Sequence, residues 1–240
     1  MLNTQTRRQR EFEQREQLFI DTARSIIRQD GHSGLTMDKI AELTEYAKGT
    51  VYKHFTCKED ILCGLCLDSL GHLHKMFSLA ETFQGTSREQ IMCLGIGYQL
   101  YTLSYPEEFD LLIAARTNNI REKASPERLE KMKQVDNLVI NHMRGVIEHA
   151  VQCGDLQLPK ASTIDDICYG LWAMNFGLLV LDHARDMVNG LTLSPSHHLV
   201  LSQISCLLDG YNWQPLSSEK DYSTTIAAAY KHLHQPNSTD

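Results

Sequence analysis

The apolar residues of this chain recur every three or four positions, which is the spacing of helices that bury one face. In residues 11–30 the apolar stripe includes Phe19, Ala23 and Ile26, and another long stripe follows the acidic turn at Glu59 and Asp60. Glycine and proline residues separate these stretches, and no segment alternates apolar and polar residues as a half-buried strand does. The pattern predicts an all-α fold of about nine to ten helices.

One predicted helix, residues 164–184, is apolar on nearly every side. A helix of this kind must be covered all round, and its two ends are too polar for a membrane span. We therefore expect one side to pack on the core of its own chain and the other side to pack on a partner subunit.

Residues 36–60 contain two short predicted helices, separated by a break at Glu45 and Tyr46. The hydroxyl of Thr36 can cap the first helix, whose apolar side should begin at Met37. The second helix carries apolar residues four positions apart, and these should form its buried face: Ala47, Val51 and Phe55.

The rest of the second short helix carries polar, basic and aromatic side chains: Lys48, Thr50, Tyr52, Lys53 and His54. A helix this short is not stable alone in water, so its neighbours must hold it. Its exposed ridge suits the major groove of DNA, which admits one helix between two rows of phosphates.

The charge distribution agrees with that interpretation, although the net charge is −7. Residues 1–60 contain ten basic and ten acidic residues, so the whole deficit lies in residues 61–240. Phosphate contact depends on the local field rather than on net charge. The basic residues of the first part form two clusters: Arg7, Arg8 and Arg10, and then Lys48, Lys53 and Lys58.

The composition indicates a protein with a hydrophobic core, since 42% of the residues are hydrophobic. The first residues contain no apolar signal segment, so we expect no secretion. The seven cysteines are an odd number spread through helical stretches, which favours a reducing compartment over a disulfide framework. We expect a cytoplasmic protein without a membrane segment.

Residues 12–65 resemble the DNA-binding domain of the TetR family, the tetracycline-repressor-like regulators. The matching residues are Phe19, Ala23, Gly34, Thr36, Ile40 and Ala41, then the runs 48–55 and 58–62. The remainder resembles the family only in its helical layout and length. The resemblance implies an all-helical homodimer, in which three N-terminal helices form a helix-turn-helix DNA-binding domain. The C-terminal helices would bind a small molecule and dimerise.

The resemblance assigns DNA contacts to the two short helices and to the start of the next helix. The expected DNA-binding residues are Thr36, Lys48, Gly49, Thr50, Tyr52, Lys53, His54 and Lys58. Thr36, Tyr52 and His54 would hold phosphates, and Lys53 would reach a phosphate or a base edge. Lys58 would place a cation at a helix N-terminus, where the dipole also favours phosphate.

Two residues depart from the family pattern. Family members often have glycine in the turn where this chain has Glu45, and a positive φ at a non-glycine residue would cost about 1 kcal/mol. The first cap of the recognition helix is often Ser or Thr, whereas Ala47 offers no side-chain oxygen, at a cost of about 1 kcal/mol. Both departures concern how the recognition helix enters the groove.

The resemblance also implies a homodimer through helices near residues 163–186 and 195–212, and a pocket for a small molecule. The expected lining residues are Phe77, Met92, Tyr98, Phe109, Arg116, Met143, Trp172, Asn175 and Phe176. For each of them the alternative is an ordinary core position. Arg116 and Asn175 are the most informative, because a polar group on an apolar stretch requires a partner.

Other chemistry has less support in the sequence. Cys63 and Cys66 share a helix face, but no further ligands follow at a familiar spacing, so we expect buried cysteines and no metal. Cys57 lies next to Lys58, which would favour its thiolate, so redox sensing stays open. We find no nucleophile–base pair and no phosphate-binding loop, and expect neither catalysis nor a cofactor.

These inferences divide the chain into a basic arm (1–10), a helix-turn-helix DNA-binding domain (11–57), a ligand-binding and dimerisation domain (58–214) and a C-terminal extension (215–240). The expected function is ligand-responsive repression at a palindromic operator, relieved by a small hydrophobic or amphipathic effector. The alternative is a helical small-molecule sensor or carrier without sequence-specific DNA binding. For the arm, the alternative is a disordered terminus.

Overall fold

The computed structural model describes residues 2–117, 120–183, 185 and 190–234. These residues form eleven helical segments and no strand, so the all-α fold class is confirmed. The segments are α1 (Leu2–Gly34), α2 (Met37–Thr44), α3 (Lys48–His54), α4 (Lys58–Glu81), α5 (Ser87–Ser104), α6 (Pro106–Thr117), α7 (Ile120–Lys123), α8 (Pro126–Cys153), α9 (Ile164–His183), α10 (Ser196–Gly210) and α11 (Ser223–Leu233). The sequence predicts about nine to ten helices, and the additional segment is α7, which is a single helical turn.

The first helix is longer than the sequence pattern predicts. Residues 2–10, which we expected as a basic arm outside the helix, are part of α1. No glycine or proline interrupts this stretch, and Arg7 pairs with Glu11 one turn later at 2.8 Å. Near its other end α1 is kinked at Gly31, which has φ 69° and ψ −178°, a conformation that glycine adopts without steric cost.

The chain divides into two compact units, and the division differs from the expected domain boundaries. Unit 1 contains residues 1–69 and 107–134, and unit 2 contains residues 70–106 and 135–240. The expected boundary at residue 58 therefore lies inside unit 1. The reason is that the start of α4 and the segment 107–134 pack with the N-terminal helices, which shows only in three dimensions.

The core of unit 1 surrounds the two short helices. Phe19 of α1, Ile40 of α2 and Val51 of α3 are fully buried, as is Phe55 just after α3. The start of α4 adds Ile61, which is also fully buried. Thus α3, which has only seven residues, is held by packing on helices around it, as its length requires.

Unit 2 is organised around α5, which packs against α9, α10 and α11. The helix begins with a capping box in which Thr86 is the cap and Glu89 its partner. Ser87, at the first helical position, does not act as the cap. The hydroxyl of Ser87 instead donates to Asp155 at 2.6 Å.

The segment that follows α10, from Tyr211 into the C-terminal extension, is part of the core of unit 2. The side chain of Trp213 is fully buried, and its indole N–H donates to Ser87 Oγ at 3.0 Å. Further along, the Tyr230 hydroxyl on α11 donates to Gln99 Oε1 on α5 at 2.9 Å. The extension therefore packs on α5 through α11, although we expected it to be separate from the ligand-binding and dimerisation domain.

The apolar helix expected near residues 163–186 is α9. Its inner side holds Ile167 and Leu171, whereas Tyr169 and Leu181 are 67% and 61% exposed. Among the described residues, Ile164–Asp182 is the one segment long and apolar enough to cross a membrane by length and composition alone. Core helices of soluble proteins share these properties, so this segment is weak evidence for a membrane span.

Candidate nucleic-acid interface

The two short helices α2 and α3 are joined by a tight turn with defined geometry. The side chain of Thr36 caps α2 by accepting the Lys39 backbone N–H at 3.1 Å. At the other end Glu45 has φ 58° and ψ 22°, so the positive φ that we considered at this residue is present. The backbone N–H groups of Glu45 and Tyr46 donate to the carbonyls of Glu42 and Ala41 at 3.3 and 3.2 Å. This is a Schellman ending, which normally favours glycine.

The N-cap residue of helix α3 is Ala47, which makes no side-chain capping bond, as the sequence predicts. Val51 and Phe55 are fully buried and attach the helix to unit 1. Ala47 itself is exposed, so only two of the three residues expected on the buried face are there. The cap position is accessible because it lies in the turn rather than within the helix.

The outer face of α3 carries four of the predicted DNA-binding residues in exposed positions, namely Lys48, Gly49, Tyr52 and Lys53, with Thr50 half-buried. The ring of Tyr52 is 47% exposed. Lys48 Nζ lies 2.5 Å from Asp38 Oδ1 on α2. The hydrogen bond and the charge of Asp38 raise the pKa of Lys48, so the Lys48 side chain is protonated at neutral pH.

His54, by contrast, is buried, so its imidazole does not lie on the exposed outer face of α3 where we expected a phosphate contact. Its ring is stacked on Phe12 at a centroid distance of 3.9 Å, with Phe19 edge-on at 5.3 Å. Burial lowers the pKa of His54, and Glu16 at 3.6 Å opposes that effect. His54 lies three residues after buried Val51, so helical spacing alone could have placed it on the inner face.

Lys58 is the other predicted contact that the structure places differently. Its ammonium group donates to the backbone carbonyl of His32, near the end of α1. The residue is half-buried. Lys58 thus joins α1 to the start of α4 rather than standing as a free cation at a helix N-terminus.

Sequence reasoning missed Arg128, which comes from the first turn of α8. Its guanidinium donates through Nη2 to the His54 carbonyl at the end of α3, at 3.0 Å. Only 8% of the residue is exposed. No local pattern identifies this contact, because the two residues are 74 positions apart.

The residues expected to bind an effector do not all lie in one unit. Phe77, Met92, Tyr98, Met143, Trp172, Asn175 and Phe176 belong to unit 2. Phe109, fully buried, belongs to unit 1, as does Arg116. The side chain of Arg116 lies outside the described residues. The structure therefore divides the expected set between the two units, because helical layout alone does not show which unit α6 joins.

Two features of unit 2 could receive a small molecule. Asn175 is 7% exposed and its Oδ1 has no hydrogen-bond partner within the described part of the chain, which is unusual for a buried acceptor. Separately, Met143 and Trp172 line a groove of about 160 Å³ along α8 and α9. Arg144 and Asp165 form an ion pair of 2.8 Å in the same groove.

The cysteines and the acidic residues reveal no metal centre. Within the described ranges, no group of three or more His, Cys, Asp or Glu side chains could hold a metal ion. Cys63 and Cys66 are buried thiols. Cys57 is half-buried, and its Sγ donates to the Lys123 carbonyl at 3.3 Å.

Comparison with known proteins agrees with this geometry. Residues 19–63 match the family described as bacterial regulatory proteins, tetR family. A curated relative, the fatty acid metabolism regulator protein of Bacillus subtilis, is 24% identical over 144 residues, covering 58% of this chain and 69% of the relative.

Solved structures share the fold across most of the chain. A protein of unknown function from Rhodococcus sp. RHA1 has a TM-score of 0.65 and 18% identity, covering 82% of this chain and 95% of that protein. The transcriptional regulator FadR from Bacillus subtilis, solved with stearoyl-CoA, has a TM-score of 0.59 and 18% identity, covering 81% and 98%. Residues 19–63, which include the exposed face of α3, therefore carry the DNA-binding domain of the tetR family, and the chain as a whole shares its fold with the solved structures above.

Proposed function

We propose that the protein is a homodimeric repressor that binds a palindromic operator through α3 and leaves it when an amphipathic effector binds unit 2. The observation that carries this proposal is the outer face of α3. Lys48, Gly49, Tyr52 and Lys53 are exposed there, whereas Val51 and Phe55 anchor the inner face.

The chemistry of this face fits a DNA groove. The pair between Lys48 and Asp38 is fully exposed to solvent, so a phosphate can replace the carboxylate at little cost. A Cβ added to Gly49 would meet no protein atom within 4 Å. Its lack of a side chain therefore serves no packing inside unit 1, and it lets the backbone approach an external surface closely.

The outward face of α9 supports dimerisation. Tyr169 and Leu181 are exposed on this predominantly apolar helix, and an exposed apolar surface of this kind is typical of an interaction site. We propose that a second copy of the chain packs on this surface, through the helices near 163–186 and 195–212. A two-fold dimer would set two α3 helices about 34–36 Å apart, in successive major grooves.

For the effector we propose a long-chain fatty acyl thioester. The support is the curated relative named as a fatty acid metabolism regulator and the related fold solved with stearoyl-CoA. Unit 2 offers an unpaired acceptor at Asn175 and an apolar groove with Arg144 beside it. An effector that binds better to the DNA-incompetent conformation shifts the population away from the operator. In this role the protein is a cytoplasmic regulator rather than an enzyme.

The DNA-binding proposal is tested by fluorescence anisotropy with the DNA that flanks the protein's own gene. Tyr52→Ala and Lys53→Ala should both weaken binding, and Lys53→Ala should reduce the salt slope by about one phosphate contact. The control is Lys131→Ala, since Lys131 is an exposed lysine of the same unit. It lies on α8, where it pairs with Glu127 at 2.8 Å. Equal binding by all four proteins would exclude α3 as the interface and favour the carrier alternative.

The effector proposal is tested separately, by adding stearoyl-CoA or free coenzyme A to the preformed complex. The acyl thioester should release the DNA, and coenzyme A alone should leave it bound, because the acyl chain supplies the apolar burial. Release by neither compound would reject this effector class and leave the DNA-binding proposal intact.

A further inference from the structure

We propose that Arg128 is a positioning residue for DNA recognition, which fixes α3 in the orientation that enters the groove. This inference rests on the proposed DNA-binding function. Arg128 lies well outside residues 19–63, the part that matches the family. The DNA-reading unit of this chain is accordingly discontinuous, and it requires the segment 107–134.

The recognition helix needs support from outside itself. It has seven residues, and its cap Ala47 makes no side-chain hydrogen bond. Isolated helices of this length do not persist in water. Its inner face is anchored by Val51 and Phe55, but apolar packing is non-directional. A directional contact is therefore required to set the angle at which the helix axis leaves the unit.

Arg128 provides that contact at the C-terminal end of α3. Its Nη2 donates to the His54 carbonyl at 3.0 Å, and its guanidinium carbon lies 4.3 Å from the centre of the Phe55 ring. A cation at the end of a helix is favoured by the unpaired carbonyls there. Arg128 thus holds the last turn of α3 by one hydrogen bond and one ring contact.

The guanidinium is itself held by carboxylates on two other helices. Nη2 lies 3.1 Å from Glu16 Oε1 on α1, and Nε lies 3.7 Å from Asp60 Oδ1 in the first turn of α4. Asp60 also accepts the backbone N–H of Ser125 at 2.8 Å, just before α8. Arg128 therefore ties the end of α3 to both α1 and α4.

This arrangement depends on the planar fork of arginine. One guanidinium can donate in two directions while its face lies on a ring, whereas an ammonium group acts as a point charge on a flexible chain. Arg128→Lys should keep the charge near Glu16 and lose part of the contact with His54 and Phe55. Arg128→Met should keep an unbranched side chain over Phe55 and lose both the charge and the hydrogen bond.

The test measures operator affinity, non-operator affinity and salt dependence for wild type, Arg128→Lys and Arg128→Met. Arg128→Met should weaken operator binding by about tenfold, the effect of losing one charged hydrogen bond. The operator affinity of Arg128→Lys should lie between those of Arg128→Met and wild type. Binding to non-operator DNA and the salt slope should stay at the wild-type values, because no phosphate contact is removed.

Local order gives a second measurement that a general loss of stability would not reproduce. Amide hydrogen exchange should accelerate at Phe55, whose N–H donates to Val51 O at 3.0 Å, while the amides of α5 keep their wild-type protection. The control is Lys220→Met in unit 2, which also removes a cation from an ion pair, here with Glu89 at 2.8 Å, and should leave operator binding unchanged.

The outcomes separate this inference from the function on which it rests. If Tyr52→Ala weakens operator binding and both Arg128 variants bind as wild type, the positioning role is wrong and the interface stands. If Tyr52→Ala also binds as wild type, the interface itself is wrong. Should Arg128→Met not fold, Arg128→Lys decides, since wild-type affinity in that variant would overturn the positioning role.

Discussion

Replacing Ala47 by serine should stabilise the protein through the recognition helix. Ala47 is the N-cap of α3, with φ −59° and ψ 139°, and it makes no side-chain capping bond. The residue is exposed, so a hydroxyl has room. It would accept a backbone N–H of the first turn, and caps of this kind contribute about 1 kcal/mol. We expect Ala47→Ser to raise the free energy of unfolding by that amount.

The assay is urea denaturation of the full chain, with Ala228→Ser as the control. Ala228 is exposed within α11, where serine is a poorer helix former than alanine by about 0.5 kcal/mol. The same chemical change should therefore have opposite signs at the two sites. If α3 were ordered only on DNA, Ala47→Ser would instead leave the free energy of unfolding unchanged and tighten operator binding by up to about fivefold.

A clear result would refute the reasoning. If Ala47→Ser destabilises the protein as Ala228→Ser does, the start of α3 does not have the cap geometry described above. If unfolding changes as expected but operator affinity does not, α3 is already ordered in the free protein, and its stability does not limit DNA binding.

Substitutions at three further sites test the core and two titrating groups by denaturation. Trp213→Ala should lower the free energy of unfolding by about 3–5 kcal/mol because the side chain is fully buried, and Trp213→Phe should lower it distinctly less. A loss below about 1 kcal/mol for Trp213→Ala would show that this side chain is not part of the core. Burial tends to raise the pKa of Glu89, but its hydrogen bonds, that of Lys220 foremost, lower it to about 2. The free energy of unfolding should therefore fall as pH decreases from 4.5 to about 2. If a Glu89→Gln variant shows the same fall, the titration of Glu89 is not its cause. Burial lowers the pKa of His54, so the free energy of unfolding should fall as pH decreases through about 6.5. His54→Phe should lose less stability over this range. If His54→Phe has the same pH profile as wild type, His54 is not the group responsible.

The helices and the turn of the DNA-binding domain were predictable because their signals are local. Thr36, Glu45 and Ala47 act through bonds within a few residues, so the cap, the left-handed turn and the missing cap could all be read from the sequence. The exposed positions of Tyr52 and Lys53 follow from helical spacing once Val51 and Phe55 are recognised as apolar anchors.

The errors arose where a side chain has an alternative partner in space. His54 is polar, but it finds Phe12 on α1 and is buried. Lys58 is a cation near a helix start, but the carbonyl of His32 takes its ammonium group. Phe109 is apolar like the other expected pocket residues, yet α6 carries it into unit 1. Polarity and spacing cannot distinguish such choices.

The sequence by itself determined the all-α class, the helix-turn-helix segment and the basic and aromatic face of α3, since these follow from periodicity and capping over a few neighbouring residues. Only the tertiary structure decided that the DNA-reading unit includes residues 107–134. It also decided that Arg128 holds the end of α3 and that Trp213 completes the core of unit 2. These contacts join residues 74 and 126 positions apart, and their partners are chosen by packing, which no local pattern records.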